Sequence, residues 1–267
     1  MKSRLIALDI DGTILDSPAG IPVPEEVREA VREARDAGAR VCLCSSRPCY
    51  MMEEVTSRLD GIDALAGCSG AMIELAGASA GDLFYLDRIP DALSLACLET
   101  AKSLGAYVSF AGRERIYVLQ KGVIGLLAAK DPTFTIMKEK ALVKLFKTEQ
   151  ISSAFIITDP DVPAEAVTGA PVLKDVNVHH SGHSCFTITN KGTDKGAGVL
   201  RLAELWDIPQ EAILAVGNDE NDIPMLKAAG VGVAVANAVP SVFAAADWVA
   251  PSVRQAGAAA AIRRYAL

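Results

Sequence analysis

An α/β fold built on a doubly wound parallel sheet, interrupted by a second α+β domain, is predicted by three features of this 267-residue sequence. Apolar runs of strand length end in polar residues, amphipathic helices alternate with them, and the alternation stops for roughly 100 residues before it resumes. The first run, Leu5-Ile6-Ala7-Leu8, has the continuous apolar character of a parallel strand buried on both faces. After it, Pro22 to Pro24 introduce a helix in which Val27, Ala30, Val31, Ala34 and Ala37 recur at helical spacing, with Gly38 as the stop. The strand Arg40 to Cys44 follows and ends in Ser45-Ser46-Arg47-Pro48, which completes a right-handed crossover unit. A second helix over Tyr50 to Leu59, a short strand at Ala64 to Gly67 and the turn Cys68-Ser69-Gly70-Ala71 close this half.

The same grammar returns late in the chain. A helix from Lys195 to Trp206 leads to the strand Ile213 to Val216, the loop Gly217 to Asp222, a helix through Met225 to Ala229, the strand Val231 to Val235 and an alanine-rich helix over Ala256 to Ile262. The interruption carries its own elements. Helices are expected at Ala92 to Leu104 and Lys138 to Lys147, and strands at Tyr107 to Phe110, Ile116 to Leu119, Ile151 to Thr158 and Val176 to His179. The predicted division is a core of residues 1–83 plus 186–267 and an inserted α+β domain of residues 84–185.

Composition narrows the function. With 51% hydrophobic and 22% charged residues the chain has the makings of a well-buried globular protein, and a net charge of −7 argues against a broad nucleic-acid or acidic-membrane surface. An anionic ligand would be held locally, by a metal and a few basic side chains. The opening Met1-Lys2-Ser3-Arg4 runs straight into the first strand and no apolar stretch reaches membrane-spanning length, so a cytoplasmic protein is expected, as a monomer or homodimer. Six cysteines without C-x-x-C spacing read as reduced thiols.

The chemistry concentrates at strand ends. In an extended strand residues i and i+2 point the same way, so Asp9 and Asp11 can converge at the carboxyl edge, where open α/β sheets place their ligands. Gly12 lets the backbone turn and approach a ligand closely. Two neighbouring carboxylates need a cation or a shared proton, and a hard divalent ion such as Mg²⁺ is the natural answer. The competing reading is an ordinary turn that stops the strand. Ser45, Lys195 and the Gly217 to Asp222 loop lie at or beside the other core strand ends and supply what a phosphoryl-transfer site needs. Lys195 at a helix start is mildly unfavourable against the dipole unless an anion sits there.

These segments, in this order and spacing, resemble the motifs of the haloacid dehalogenase superfamily of phosphatases, specifically the Cof-type sugar phosphatases with a large inserted cap. Asp9-Ile10-Asp11-Gly12-Thr13 is similar to the family's first motif, and Ser45-Ser46-Arg47-Pro48 stands where threonine, glycine, arginine and proline are usual. Lys195-Gly196 resembles the third motif, and Gly217-Asn218-Asp219-Glu220-Asn221-Asp222 the fourth. The resemblance implies a Mg²⁺-dependent phosphomonoester hydrolase acting on small phosphorylated metabolites, with sugar phosphates foremost. It implies Asp9 as nucleophile, Asp11 as general acid and base with a main-chain carbonyl on the metal, and catalytic Lys195. Gly12, Ser45, Ser46, Arg47, Lys195 and Asn221 are implied around the phosphate, and Asp9, Asp11, Asn218 and Asp222 around the metal, with Asp222 orienting Lys195 or a metal-bound water. A phosphomutase of the same superfamily and a weakly active phosphometabolite-binding protein are the alternatives. Two departures stand out: Asn218 occupies a position that is usually aspartate, and Ser69-Gly70-Ala71 replaces the usual Asn-Gly-Ala. Arg47 is expected to pair with a surface carboxylate or to meet substrate, and His179, His180 and His183 to lie at the surface or line the cap.

Overall fold

In the computed structural model of the chain, residues 2–16, 20, 22–76, 82–119, 131–181 and 184–267 are described. The strands, in chain order, are β1 (Leu5–Asp9), β2 (Arg40–Cys44), β3 (Ala64–Gly67), β4 (Met72–Leu75) and β5 (Asp82–Leu86). Then come β6 (Tyr107–Ala111), β7 (Ile116–Leu119), β8 (Phe134–Met137), β9 (Ser153–Ile157), β10 (Val176–Ser181) and β11 (Cys185–Asn190). The last three are β12 (Ile213–Gly217), β13 (Val231–Val235) and β14 (Trp248–Ala250).

The chain divides into two compact units, Met1–Tyr85 with Asp194–Leu267, and Leu86–Thr193. The first is built on the sheet β14-β13-β12-β1-β2-β3-β4-β5. Pairing is parallel from β14 through β3, and β3 pairs antiparallel with β4. Alternation along β1 explains why both faces are covered. Ile6 and Leu8 point into a cluster with Val27, Val31 and Ala34 of the helix Glu25–Asp36 and with Ala258 and Ile262 of the helix Gly257–Tyr265. Leu5 and Ala7 point into the opposite cluster, with Val199 and Leu202 of the helix Lys195–Leu205 and Met225 of the helix Ile223–Ala228. Each fully buried Leu or Ile contributes about 1.5–3 kcal/mol. Because the crossover from β1 to β2 runs through the helix Glu25–Asp36 on one face and that from β12 to β13 through the helix Ile223–Ala228 on the other, the crossovers diverge beside β1, and this switch point leaves a crevice at the strand ends.

The second unit has the sheet β10-β11-β9-β6-β7-β8, antiparallel throughout except for the parallel β7–β8 pair. Phe110, Ala154, Ile156, Phe186 and Ile188 pack on one face with Cys97 and Leu98 of the helix Asp91–Ser103 and Leu142 of the helix Glu139–Leu145. The boundaries expected at 83/84 and 185/186 are corrected here, above all for β11. Its alternation, Phe186 and Ile188 against Thr187 and Thr189, marks a strand apolar on one face only, which suits an antiparallel partner and not the two-sided parallel core. The unit's two ends are tied together, since Asp87 accepts hydrogen bonds from Asn190 Nδ2 at 2.8 Å and from the Thr193 hydroxyl.

The helix expected over Tyr50 to Leu59 is broken into a 3₁₀ turn at Cys49–Met51 and a single α-turn at Glu53–Thr56. Strands β4, β5, β8, β11 and β14 had no strand expectation; all but β11 are pieces of three to five residues whose pairing supplies what local pattern lacks. All six cysteines are free thiols. Among the described residues no helix is long and apolar enough to cross a membrane.

Candidate active site

Asp9 is the last residue of β1, and burial of that strand makes it a 5%-exposed carboxylate. Lys195, the first residue of its helix, is 1% exposed, and its Nζ donates to Asp9 Oδ1 at 2.6 Å and to Asp222 Oδ1 at 2.5 Å. Asp194 caps that helix by accepting from the Ala197 N–H at 2.8 Å, which fixes where Lys195 starts. Asp222 is fully buried, and its second oxygen accepts from the main-chain N–H groups of Asn218 at 2.8 Å and Asp219 at 3.0 Å.

Both Asp222 oxygens are therefore taken by N–H donors. That makes Asp222 the partner of Lys195 and the brace of its own loop.

Two buried carboxylates against one ammonium leave an excess of negative charge. Burial first, then the Asp222 charge, push Asp9 up to about 7 despite Lys195. Burial alone would lower Lys195, but Asp222 and Asp9 outweigh it and hold the ammonium well above its ordinary range.

Gly12 has φ +87°, and a Cβ there would lie 2.5 Å from a terminal atom of the Asn218 amide, so both the turn and the close approach require glycine. The Asn218 amide faces oxygen acceptors. In the orientation that satisfies them its nitrogen donates to Asp11 O at 3.0 Å, Asp9 Oδ2 at 3.1 Å and Thr13 Oγ1 at 2.8 Å. Among the described residues no group of three His, Cys, Asp or Glu side chains could hold a metal ion. The available donor set is mixed: the Asp9 carboxylate, the Asp11 carbonyl and, with its amide turned, Asn218 Oδ1. These are hard oxygen donors brought to one place by the Asn218 side chain, and they suit Mg²⁺.

Asp11 is paired with Arg47 through both oxygens, Nε to Oδ2 at 2.8 Å and a terminal guanidinium nitrogen to Oδ1 at 2.5 Å. Of the two roles weighed for Arg47, the carboxylate partner is present, and it is the expected acid and base itself. Ser45 is buried and its hydroxyl accepts from the Arg47 N–H at 3.1 Å. Ser46 Oγ lies 3.2 Å from Ser69 Oγ and accepts from Asn221 Nδ2 at 3.0 Å, so the loops after β2, β3 and β12 meet through these side chains. Ser69 sits at φ +54°, in the left-handed region, where asparagine is the more tolerant residue.

The expectation of a surface or cap-lining place is corrected for His179 alone. His179 is buried, with Nε2 2.9 Å from Thr189 Oγ1 and 3.1 Å from Thr193 O, and His180 stacks on Phe186 at 4.8 Å. His183 lies outside the described residues. Sequence reasoning missed Asn237, whose Nδ2 donates to Gly12 O at 2.7 Å while its Oδ1 accepts from the Val253 N–H at 2.7 Å. Its place just past β13 was the signal: it stands at the carboxyl end of a core strand, like the other site residues.

Comparison with known proteins places the chain in a family. The model of the haloacid dehalogenase-like hydrolases matches residues 6–262. A phosphoglycolate phosphatase of Methanoculleus marisnigri is 30% identical over 264 residues, covering 98% of this chain and 96% of that protein. A protein of the same name from Methanothermobacter thermautotrophicus is 27% identical over 263 residues, with 98% of each covered. In structure, the subclass IIB sugar phosphatase BT4131 superposes with a TM-score of 0.85 at 21% identity, covering 98% of this chain and 99% of that one. The chain belongs to the haloacid dehalogenase-like hydrolases and is a phosphatase of their Cof-type branch.

Proposed function

We propose that the protein is a Mg²⁺-dependent phosphomonoester hydrolase that works through an aspartyl phosphate on Asp9. The supporting observation is the buried chain Asp9–Lys195–Asp222, set at the end of a core strand two residues from Asp11. An ionised Asp9 oxygen attacks phosphorus, and the bond from phosphorus to the leaving oxygen breaks as the bond to Asp9 forms. Asp11 gives its proton to the leaving alkoxide. It then takes a proton from the water that attacks the acyl phosphate, which releases inorganic phosphate and restores Asp9. Lys195 supplies a fixed positive charge beside the attacking carboxylate, and Asp222 keeps it there. Ser45, Lys195 and Asn221 receive the equatorial phosphoryl oxygens. When bound, Mg²⁺ neutralises charge between Asp9 and the phosphate, held by the Asp9 carboxylate, the Asp11 carbonyl and Asn218.

The substrates are small phosphorylated metabolites. Sugar phosphates are supported by the structural likeness to BT4131, and phosphoglycolate by the names of two relatives, so both belong in the first assay. Phosphate release from hexose phosphates, phosphoglycolate and a generic aryl phosphate is expected with Mg²⁺ and absent with chelator. Release unaffected by chelator, or surviving Asp9→Asn, would overturn the reading. Isomerised sugar phosphate without free phosphate would favour a mutase.

A further inference from the structure

Asn218 is held more firmly than a lone loop side chain. Its N–H donates to Asp222 Oδ2 at 2.8 Å and its carbonyl accepts from the Val239 N–H at 2.9 Å, so the backbone is fixed on both sides. The terminal amide lies in space that Gly12 leaves open, against Asp9 Oδ2, Asp11 O and Thr13 Oγ1. The first two are the oxygens assigned above to the metal, and an N–H₂ group carries the partial positive charge they need. An aspartate here would add another anion beside Asp9 and Asp222, which have only Lys195 between them.

We propose that the Asn218 amide is an internal stand-in for the divalent cation. Its nitrogen satisfies Asp9 Oδ2 and Asp11 O in the metal-free protein, and the amide turns over about its terminal bond to offer Oδ1 when the metal binds. The proposal rests on the metal-dependent reading of the site, but its consequence is separate from turnover. Asparagine gives this chain a metal-free site with its acceptors satisfied, at the expense of metal affinity, because one negative charge is missing and two hydrogen bonds must be surrendered.

The test uses the full chain in chelator and then with MgCl₂. Asn218→Asp is expected to lower the metal-free melting midpoint by about 2–4 °C or more. It should also bind Mg²⁺ about tenfold tighter by calorimetry, as an added ligand charge predicts. Asn218→Ala removes the donor without adding charge, so it should lower the metal-free midpoint with no gain in Mg²⁺ affinity. An Asn218→Asp chain that folds only with Mg²⁺ is the same result in stronger form. A metal-free midpoint equal to or above that of the natural chain overturns the proposal. The natural chain gives a direct readout: the Asn218 side-chain amide signal in a ¹⁵N spectrum, identified by its loss in Asn218→Asp, should shift on saturation with Mg²⁺. A bound metal with an unmoved amide signal refutes the turning amide while leaving the phosphatase reading intact. A shifted signal with no phosphate release from any compound refutes the phosphatase reading and supports the amide proposal.

Discussion

Two ion pairs serve the same strand end, and they are built differently. Asp9–Lys195 is almost fully buried and shares Lys195 with Asp222, which is itself braced by two main-chain N–H groups. Asp11–Arg47 is a two-pronged pair whose side chains stay 40% and 33% exposed. The buried pair cannot rearrange cheaply, because any member left alone keeps an uncompensated charge in a dry site. The exposed pair can open, because water takes up either partner. That difference suits the two proposed roles: a nucleophile benefits from a fixed geometry, whereas an acid and base gripped by Arg47 needs a pair that can open.

The contrast is broken most severely on the buried side. Asp9→Asn should abolish phosphate release while the circular dichroism spectrum is retained, and remaining turnover in a steady-state assay would refute the nucleophile. The same variant sharpens the electrostatics. Asp9 is raised from 3.8 to about 7 by burial and Asp222, so the metal-free folded chain holds a proton that the unfolded chain has lost between those pH values. Stability from this group is complete below about pH 4 and falls as pH rises through about 7. In chelator, the melting midpoint of Asp9→Asn relative to the natural chain should therefore climb between pH 5 and 8, and a flat difference would count against the raised carboxyl.

Asp222→Ala should cost about 3–5 kcal/mol in denaturant unfolding, the cost of breaking a buried charge network, and should remove most activity with it. Gly12→Ala forces a Cβ at positive φ into the Asn218 amide, and a loss of about 1–3 kcal/mol with much weakened metal-dependent activity is expected. Arg47→Ala should be the mildest for stability, within about 1 kcal/mol, since its pair is exposed. Its effect should fall on kcat and KM, and Arg47→Lys should restore little because an ammonium cannot grip both Asp11 oxygens. Equal stability losses for Asp222→Ala and Arg47→Ala would erase the distinction between the two pairs.

Much of the site was legible because it lies at strand ends. Asp9, Ser45 and Gly217 each follow an apolar run, and a two-sided buried strand can end in polar residues only at its edge. Lys195 was legible as a cation opening a helix. The pairings were not. Nothing in local pattern says that Arg47 reaches Asp11 across 36 positions, or that both oxygens of Asp222 are consumed by Lys195 and its own loop. Asn237 escaped notice for the same reason, since its partner Gly12 lies 225 positions away.

The boundary of the inserted unit shows the limit from another side. Residues from 186 on read in sequence as core because they lead directly to Lys195, yet β11 pairs antiparallel with β10 and β9 in the second unit, and its alternation of apolar and hydroxyl residues suits that one-sided sheet. By itself the sequence determined the α/β core, the existence of the second unit and the candidate positions for the chemistry, because burial periodicity and strand-end polarity are local properties. The tertiary structure alone decided which charges pair, which carboxylate is dry and which is wet, and which way the Asn218 amide must face. Those depend on distances between residues far apart in the chain and on how much water the packed elements exclude.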